Sequence, residues 1–331
     1  MKLDWRLVLV MVLALGLMVG CTKDEDDPEV GTFSDLSTYM QENGLDLPAM
    51  VGAGWVQAAS AIVDTNDYTI PGYTILDIRG ADDFAAGHIA GAINTTLADI
   101  LTAADANAAG ANGYLVVCYT GQTAGQGAMA LKLLGHTSTV LKWGMCGWNE
   151  TFAGSWNSNA GHDNGNNAAG NANWVTTAAP TLLTYDDPAW ETETLDPAAI
   201  LVERVEATIA GGFKKVNGHG EGSVMAAPSN YQIVNFWPAT DFVTFGHFDG
   251  ALQMQPISLA DDVTKAIDPS METAIYCYTG QTSSMATFWL NVLGYDAVSI
   301  LFGVNTLNYD ELYDAGKPTW HGAENFGYVE G

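Results

Sequence analysis

Basic residues are scarce in this chain. Its 331 residues hold 11 Lys and Arg against 38 Asp and Glu, a formal net charge of −27. Such a surface repels nucleic-acid phosphates, and no basic cluster offsets it, so nucleic-acid binding is excluded as an expected role. Any site for an anion must then rely on local backbone dipoles. Cysteine is also rare, with 4 in all, too few for a disulfide framework. The histidines lack ligand-like spacing, so no metal is expected and no cofactor is implied. No apolar run reaches the roughly 18–20 residues of a membrane-spanning helix. The longest is Leu7 to Val19, just after Lys2 and Arg6.

That short run, ending in Leu17-Met18-Val19-Gly20-Cys21, resembles a bacterial lipoprotein signal over residues 1–20, although Met18 stands where Leu is usual. The resemblance implies cleavage before Cys21, lipidation of its thiol and export. The expected location is the cell envelope: the outer membrane facing the periplasm, or the cell surface, if the cell is Gram-negative. Residues 21–35 then read as an acidic, solvated tether.

What the chain does have is an internal repeat. Cys118-Tyr119-Thr120-Gly121-Gln122-Thr123 recurs 159 residues on as Cys277-Tyr278-Thr279-Gly280-Gln281-Thr282, and Gly87-His88 recurs as Gly246-His247 at the same offset. Gly135 and Gly144 likewise pair with Gly294 and Gly303, which argues for a duplication. Each copy reads as α/β. Tyr73 to Ile78 and Tyr114 to Cys118 are continuous apolar runs suited to the buried strands of a parallel sheet. A helix is expected from Thr123 to Leu134 with its stop at Gly135, then a strand from Val140 to Trp143. The second copy gives strands at Ile233 to Phe236, Ala274 to Tyr278 and Ser299 to Phe302, and a helix at Thr282 to Leu293. A further helix is expected at Ala198 to Ile209. The domains expected are 36–152 and 191–331. Between them residues 153–190 read as a linker, in which Asn157 to Asn173, crowded with Asn, Gly and Ala, are a flexible linker or long loop.

A cysteine at a strand end, followed by a glycine loop and a helix, faces inward-turned backbone N–H groups and the positive end of a helix dipole. Both favour thiolate over thiol and could cradle a terminal sulfur anion. Together with Asp77-Ile78-Arg79, Phe84, Gly87-His88-Ile89 and Gly91-Ala92-Ile93-Asn94, the Cys118 loop and Gly144 to Trp148 resemble a rhodanese domain. The resemblance covers about residues 55–150 and again about 195–315. It implies two rhodanese-like domains, each a five-stranded parallel sheet with helices on both faces.

The same resemblance implies a sulfurtransferase in which Cys118 and Cys277 carry sulfane sulfur as persulfides from a small donor to a thiophilic acceptor. Tyr119, Thr120, Gly121, Gln122 and Thr123, with Tyr278, Thr279, Gly280, Gln281 and Thr282, would form the substrate-binding loops. An alternative is a carrier that binds a sulfur- or selenium-containing anion for a membrane-protein partner. The loops lack the basic residues common in thiosulfate-active members, which puts thiosulfate:cyanide transfer in doubt. They also lack the arginine that phosphatases of similar fold need six residues after the nucleophile, where Ala124 and Ser283 stand. Asp77 and Arg79 are expected to be a supporting ion pair; Asn235 and Trp237 replace them in the second copy. On that ground Cys118 is expected to load sulfur faster. His88 and His247 are expected to pack rather than react, and Cys146, whose counterpart is Asn305, to be structural.

Overall fold

The computed structural model describes residues 29–331. Cys21, the signal-like segment 1–20 and most of the tether lie outside the described residues. Two five-stranded parallel sheets form the frame. The first holds β1 (Val56–Gln57), β2 (Thr74–Asp77), β3 (Ile93–Asn94), β4 (Tyr114–Val117) and β5 (Ser138–Leu141), in the order β1-β5-β4-β2-β3. The second holds β6 (Lys215–Val216), β7 (Gln232–Asn235), β8 (Leu252–Gln253), β9 (Thr273–Tyr276) and β10 (Ala297–Ile300), in the order β6-β10-β9-β7-β8. The two orders are the same, strand for strand, so the duplication seen in the loops extends to the whole topology.

Helices cover both faces of each sheet. Between the sheets lie α1 (Phe33–Glu42), α3 (Gln122–Leu133), α5 (Pro197–Ala210) and α7 (Gln281–Leu293), while α2 (Ala81–Ala86) and α4 (Gly144–Trp148) flank the first sheet and α6 (Ala239–Thr244) the second. Because side chains alternate along a strand, Leu76 and Val116 point inward, as do Val234 and Ile275. All four join one core with Met129, Leu131, Met285 and Leu290. Ile75, Leu115 and Val117 point to the opposite face, where they meet Trp148 and Phe152. The second sheet's outer residues, Ile233 and Tyr276, pack with Phe242 and Phe248. The central core is therefore shared by both repeats. Helix α3 can approach α7 closely because Gly125 lacks a Cβ, which would lie 3.1 Å from the Gln281 carbonyl oxygen. That contact offsets the roughly 0.5–1 kcal/mol a mid-helix glycine costs.

Three expected boundaries change. The tether assigned to 21–35 gives way to structure by Gly31, which pairs with Thr192 in a short antiparallel strand. Thr32 and Asp35 then form a capping box that starts α1, and Phe33, Leu36 and Met40 carry that helix into the shared core. The expected first domain, 36–152, thus begins with a helix that packs on α5 and α7 of the second repeat. Of the two expectations for the Asn-rich stretch, the structure has the long loop, packed in place from residue 153 to 175. Trp156 is fully buried, Asn167 Nδ2 donates to the Thr306 carbonyl at 2.7 Å, and Trp174–Val175 pairs with His247–Phe248. The asparagines make up for a poor apolar content by hydrogen-bonding backbone, as Asn173 does to Met225.

Strands β5 and β10 end before the expected Trp143 and Phe302. Both of those residues take left-handed φ, +66° and +60°, to turn the chain toward the loops.

Candidate active site

Each loop cysteine follows the last residue of a central strand, β4 or β9, and each loop ends in a glycine with φ near +80°, Gly121 at +80° and Gly280 at +77°. These glycines precede α3 and α7 directly. The loops' carbonyls are held from behind. Met145 and Cys146 N–H donate to the carbonyls of Cys118 and Tyr119, and Val304 and Asn305 N–H do the same for Cys277 and Tyr278. With the carbonyls so engaged, the loop N–H groups turn inward. Gly121 N–H and Ala124 N–H donate to Cys118 Sγ at 3.2 and 3.3 Å. In the second repeat Ser283 N–H donates to Cys277 Sγ at 3.4 Å. Both sulfurs sit at the bottom of a cradle, in residues only 5% and 2% exposed.

At Cys118 the electrostatics differ from the expected thiolate preference. Burial pushes the Cys118 thiol above its ordinary value, and the N–H groups of Ala124, Thr120 and Gly121 pull it back only in part. Cys146, also fully buried and free, is pushed by burial up to about 12. This is the setting of an inert structural cysteine. Its counterpart Asn305 adds an Nδ2 bond to the Tyr278 carbonyl at 2.8 Å.

The twelve loop residues divide into distinct jobs. Cys118, Gly121, Cys277 and Gly280 build the cradles. The tyrosines are pinned sideways, Tyr119 OH donating to Asp83 at 2.7 Å and Tyr278 OH to Asp241. Burial first, and then these carboxylates, keep both phenols neutral. Thr120 Oγ1 accepts from Gln122 Nε2, and Thr279 Oγ1 from Gln281 N–H. Thr123 and Thr282 stand half-buried in the first turns of α3 and α7.

The glutamines span the two repeats. Gln122 Oε1 accepts from Phe302 N–H at 2.8 Å, and Gln281 Oε1 from Trp143 N–H at 3.2 Å. Each loop thus reaches across and satisfies the turn of the other repeat. The crossing is tight: a Cβ on Gly121 would lie 2.6 Å from Gln281 Oε1, and one on Gly280 would lie 2.4 Å from Gln122 Oε1. Sequence repetition marks both glutamines as special but carries no sign that they face each other.

Asp77 and Arg79 form a buried ion pair at 2.6 Å, and Arg79 also donates to the Gly87 carbonyl and lies over the Tyr119 ring. In the second repeat that pair is lost, and the Asn235 amide and Trp237 Nε1 have no hydrogen-bond partner among the described residues. A cation is nevertheless present. Lys317, from the C-terminal segment, binds Asp241 at 2.5 Å and lies 6.0 Å from the Tyr278 ring centre. Nothing in the motif pointed to Lys317. His88 and His247 stack on Phe84 and Phe242 and bond the carbonyls of those same residues, which is packing.

Aromatic residues from the intervening and C-terminal segments close over the loops. Trp156 Nε1 donates to the Thr120 carbonyl and meets Trp143 and Phe302 edge-on. Beside this roof lies a cavity of about 410 Å³ lined by Lys142, Trp143, Lys317 and His321 among others. Lys142 is half-buried there, and burial lowers its pKa. A smaller cavity, about 170 Å³, takes the matching place in the second repeat, with Leu301 where Lys142 stands. Among the described residues no group of carboxylate, histidine and cysteine side chains could hold a metal, and no helix is long and apolar enough to cross a membrane.

A duplicated α/β domain with a cysteine cradled between a central strand and a helix defines the class. The family model of the Rhodanese-like domain matches residues 56–151, and that stretch is a rhodanese-like domain; the second sheet repeats its topology. No curated protein matches the chain. Among solved structures, a rhodanese-related protein from Thermoplasma volcanium is similar at 19% identity, over 32% of this chain and 96% of its own, with a TM-score of 0.25. A thiosulfate sulfurtransferase from Pseudomonas aeruginosa is 14% identical over 83% of this chain and 45% of its own, with a TM-score of 0.24. The 3-mercaptopyruvate sulfurtransferase of Leishmania major is 15% identical over 80% and 76%, with a TM-score of 0.27. Superpositions this loose add nothing to the fold, which rests on the matched model and the two sheet orders.

Proposed function

We propose that the protein is a sulfurtransferase that moves sulfane sulfur through persulfides on Cys118 and Cys277. The observation that carries this reading is the pair of backbone N–H groups at 3.2 and 3.3 Å from Cys118 Sγ. Such donors stabilise an anion without needing a charged side chain. In the first half-reaction the thiolate attacks the outer sulfur of the donor. The Sγ–S bond forms as the donor's bond to that sulfur breaks, and the remainder leaves with the electron pair. In the second, a thiophilic acceptor attacks the outer sulfur and the cysteine thiolate departs. The absence of a basic side chain from either loop favours a monoanionic persulfide donor over doubly charged thiosulfate. The lipoprotein-like start supports an envelope location through a lipid on Cys21, with a membrane-protein partner within reach.

Mass spectrometry of the protein after exposure to a persulfide donor tests this. Each loop peptide is expected to gain one sulfur atom, and Cys118→Ser and Cys277→Ser each to lose one of the two additions. Retention of both in Cys118→Ser, or absence of any addition, would overturn the reading. The closed roof over both sulfurs favours a second reading, a carrier that loads once and releases only to a partner. Multiple turnover with small acceptors would remove it.

A further inference from the structure

The two cradles differ behind the sulfur. Six residues after the cysteine stands Ala124 in the first repeat and Ser283 in the second; on the adjacent strand, Val140 is matched by Ser299. Ser283 and Ser299 are fully buried. Cys277 Sγ and Ser283 Oγ are 3.6 Å apart, the two serine oxygens 3.0 Å, and Ser299 Oγ donates to the Gly280 carbonyl at 3.4 Å. A file of two hydroxyls therefore runs from the sulfur to a carbonyl of its own loop. In an interior this dry, a hydroxyl pair is retained at a cost unless fully bonded.

We propose that Ser283, backed by Ser299, is a switchable hydrogen-bond donor to sulfur at Cys277, which makes the second cradle the better anion holder. With a thiol present, S–H donates to Ser283, Ser283 to Ser299, and Ser299 to Gly280. With a sulfur anion present, both hydroxyls rotate: Ser283 O–H turns to the sulfur and Ser299 O–H to Ser283 Oγ. No heavy atom moves, and every hydroxyl keeps a partner in both states. The first repeat has only N–H donors, because Ala124 and Val140 offer no hydroxyl. The order of reactivity expected from the Asp77–Arg79 brace is thereby reversed, since Lys317 supplies a cation beside Tyr278 while nothing supplies the hydroxyl beside Cys118. For the persulfide the inference rests on the sulfurtransferase reading; for the thiolate it does not.

Alkylation by substoichiometric iodoacetamide at neutral pH, quantified on the Cys118 and Cys277 peptides of one sample, reads the difference directly. Cys277 is expected to react faster than Cys118. Ser283→Ala, which installs the residue the first repeat already tolerates, should slow Cys277 about tenfold against the internal Cys118 reference, because a hydrogen bond to an ionised group is roughly twice as strong as a neutral one. Ser299→Val should slow it less. Ala124→Ser should speed Cys118. An unchanged ratio in Ser283→Ala overturns the inference. Should that variant unfold, both cysteines will react alike, and a null result in Ala124→Ser then overturns it. If these ratios hold but neither cysteine takes up sulfur from a donor, the sulfurtransferase reading fails and the hydroxyl switch stands.

Discussion

At the scale of single residues, the second repeat has exchanged a satisfied ion pair for unsatisfied groups. Asn235 is fully buried with neither end of its amide bonded among the described residues, and each such group costs on the order of 1–3 kcal/mol. Asn235→Leu is therefore expected to leave stability unchanged or raise it, whereas Asp77→Leu, which strands the buried Arg79, should lower it by about 3–5 kcal/mol; urea unfolding of the two variants checks the contrast. Asp241 is a different case. Burial would raise its pKa, but the hydrogen bonds from Lys317 and Tyr278 and the Lys317 charge hold it below the ordinary value. Its contribution to stability is thus present above the usual carboxylate value of about 3.9 and is lost as pH falls through the lower folded value. Acid titration of native protein and Asp241→Asn should show a stability gap near neutral pH that closes in that acidic window. Cys118 has the opposite sign. Since burial raises its thiol, its alkylation should go on increasing above pH about 8.5, the midpoint of a free cysteine.

At the scale of elements, the decisive contact is between the two loops and the turns they face. The left-handed φ of Gly121 and the nearness of Gln281 Oε1 to its missing Cβ make two separate demands at one position. Gly121→Ala should cost about 1–2 kcal/mol for the left-handed backbone alone and more for the contact. Gln281→Ala removes the contact but also the bond to Trp143 N–H, worth about 0.5–1.5 kcal/mol. The double variant is expected to be less destabilised than the sum of the singles, because the two residues share one contact. Full additivity in chemical denaturation would mean that the loops do not press on each other in solution.

For the whole molecule, the repeats are stitched by exchange of their ends. The N-terminal segment serves the second repeat, with Asp46 accepting from Leu259 N–H and Trp289 Nε1 donating to the Leu45 carbonyl. The last residues, from Glu324 on, serve the first, where Trp148 Nε1 donates to the Gly327 carbonyl and Val329 pairs with His88. With the core between the sheets held in common, unfolding should be one cooperative transition, followed equally by fluorescence and circular dichroism. Two separated transitions would show that the repeats are stable apart.

Much of this was legible in the chain. Continuous apolar runs such as Tyr114 to Cys118 announce buried parallel strands, because a sheet covered on both faces has no polar side to alternate with. A six-residue identity at a constant offset announces two copies of one cradle, and Gly121 and Gly280 announce its tight turn. Those are local properties of backbone and periodicity, and the sequence by itself determined them. The two-residue strands β1, β3, β6 and β8 went unread, being too short to show a period. What only tertiary structure decided is which groups meet across long separations. Gln122 bonds Phe302, Lys317 stands in for the charge of Arg79, and an asparagine-rich stretch packs down because its amides find distant carbonyls. No periodicity encodes such pairings. They follow from the folding of one repeat against the other, which buries these polar groups and leaves each stable only where a partner is in reach.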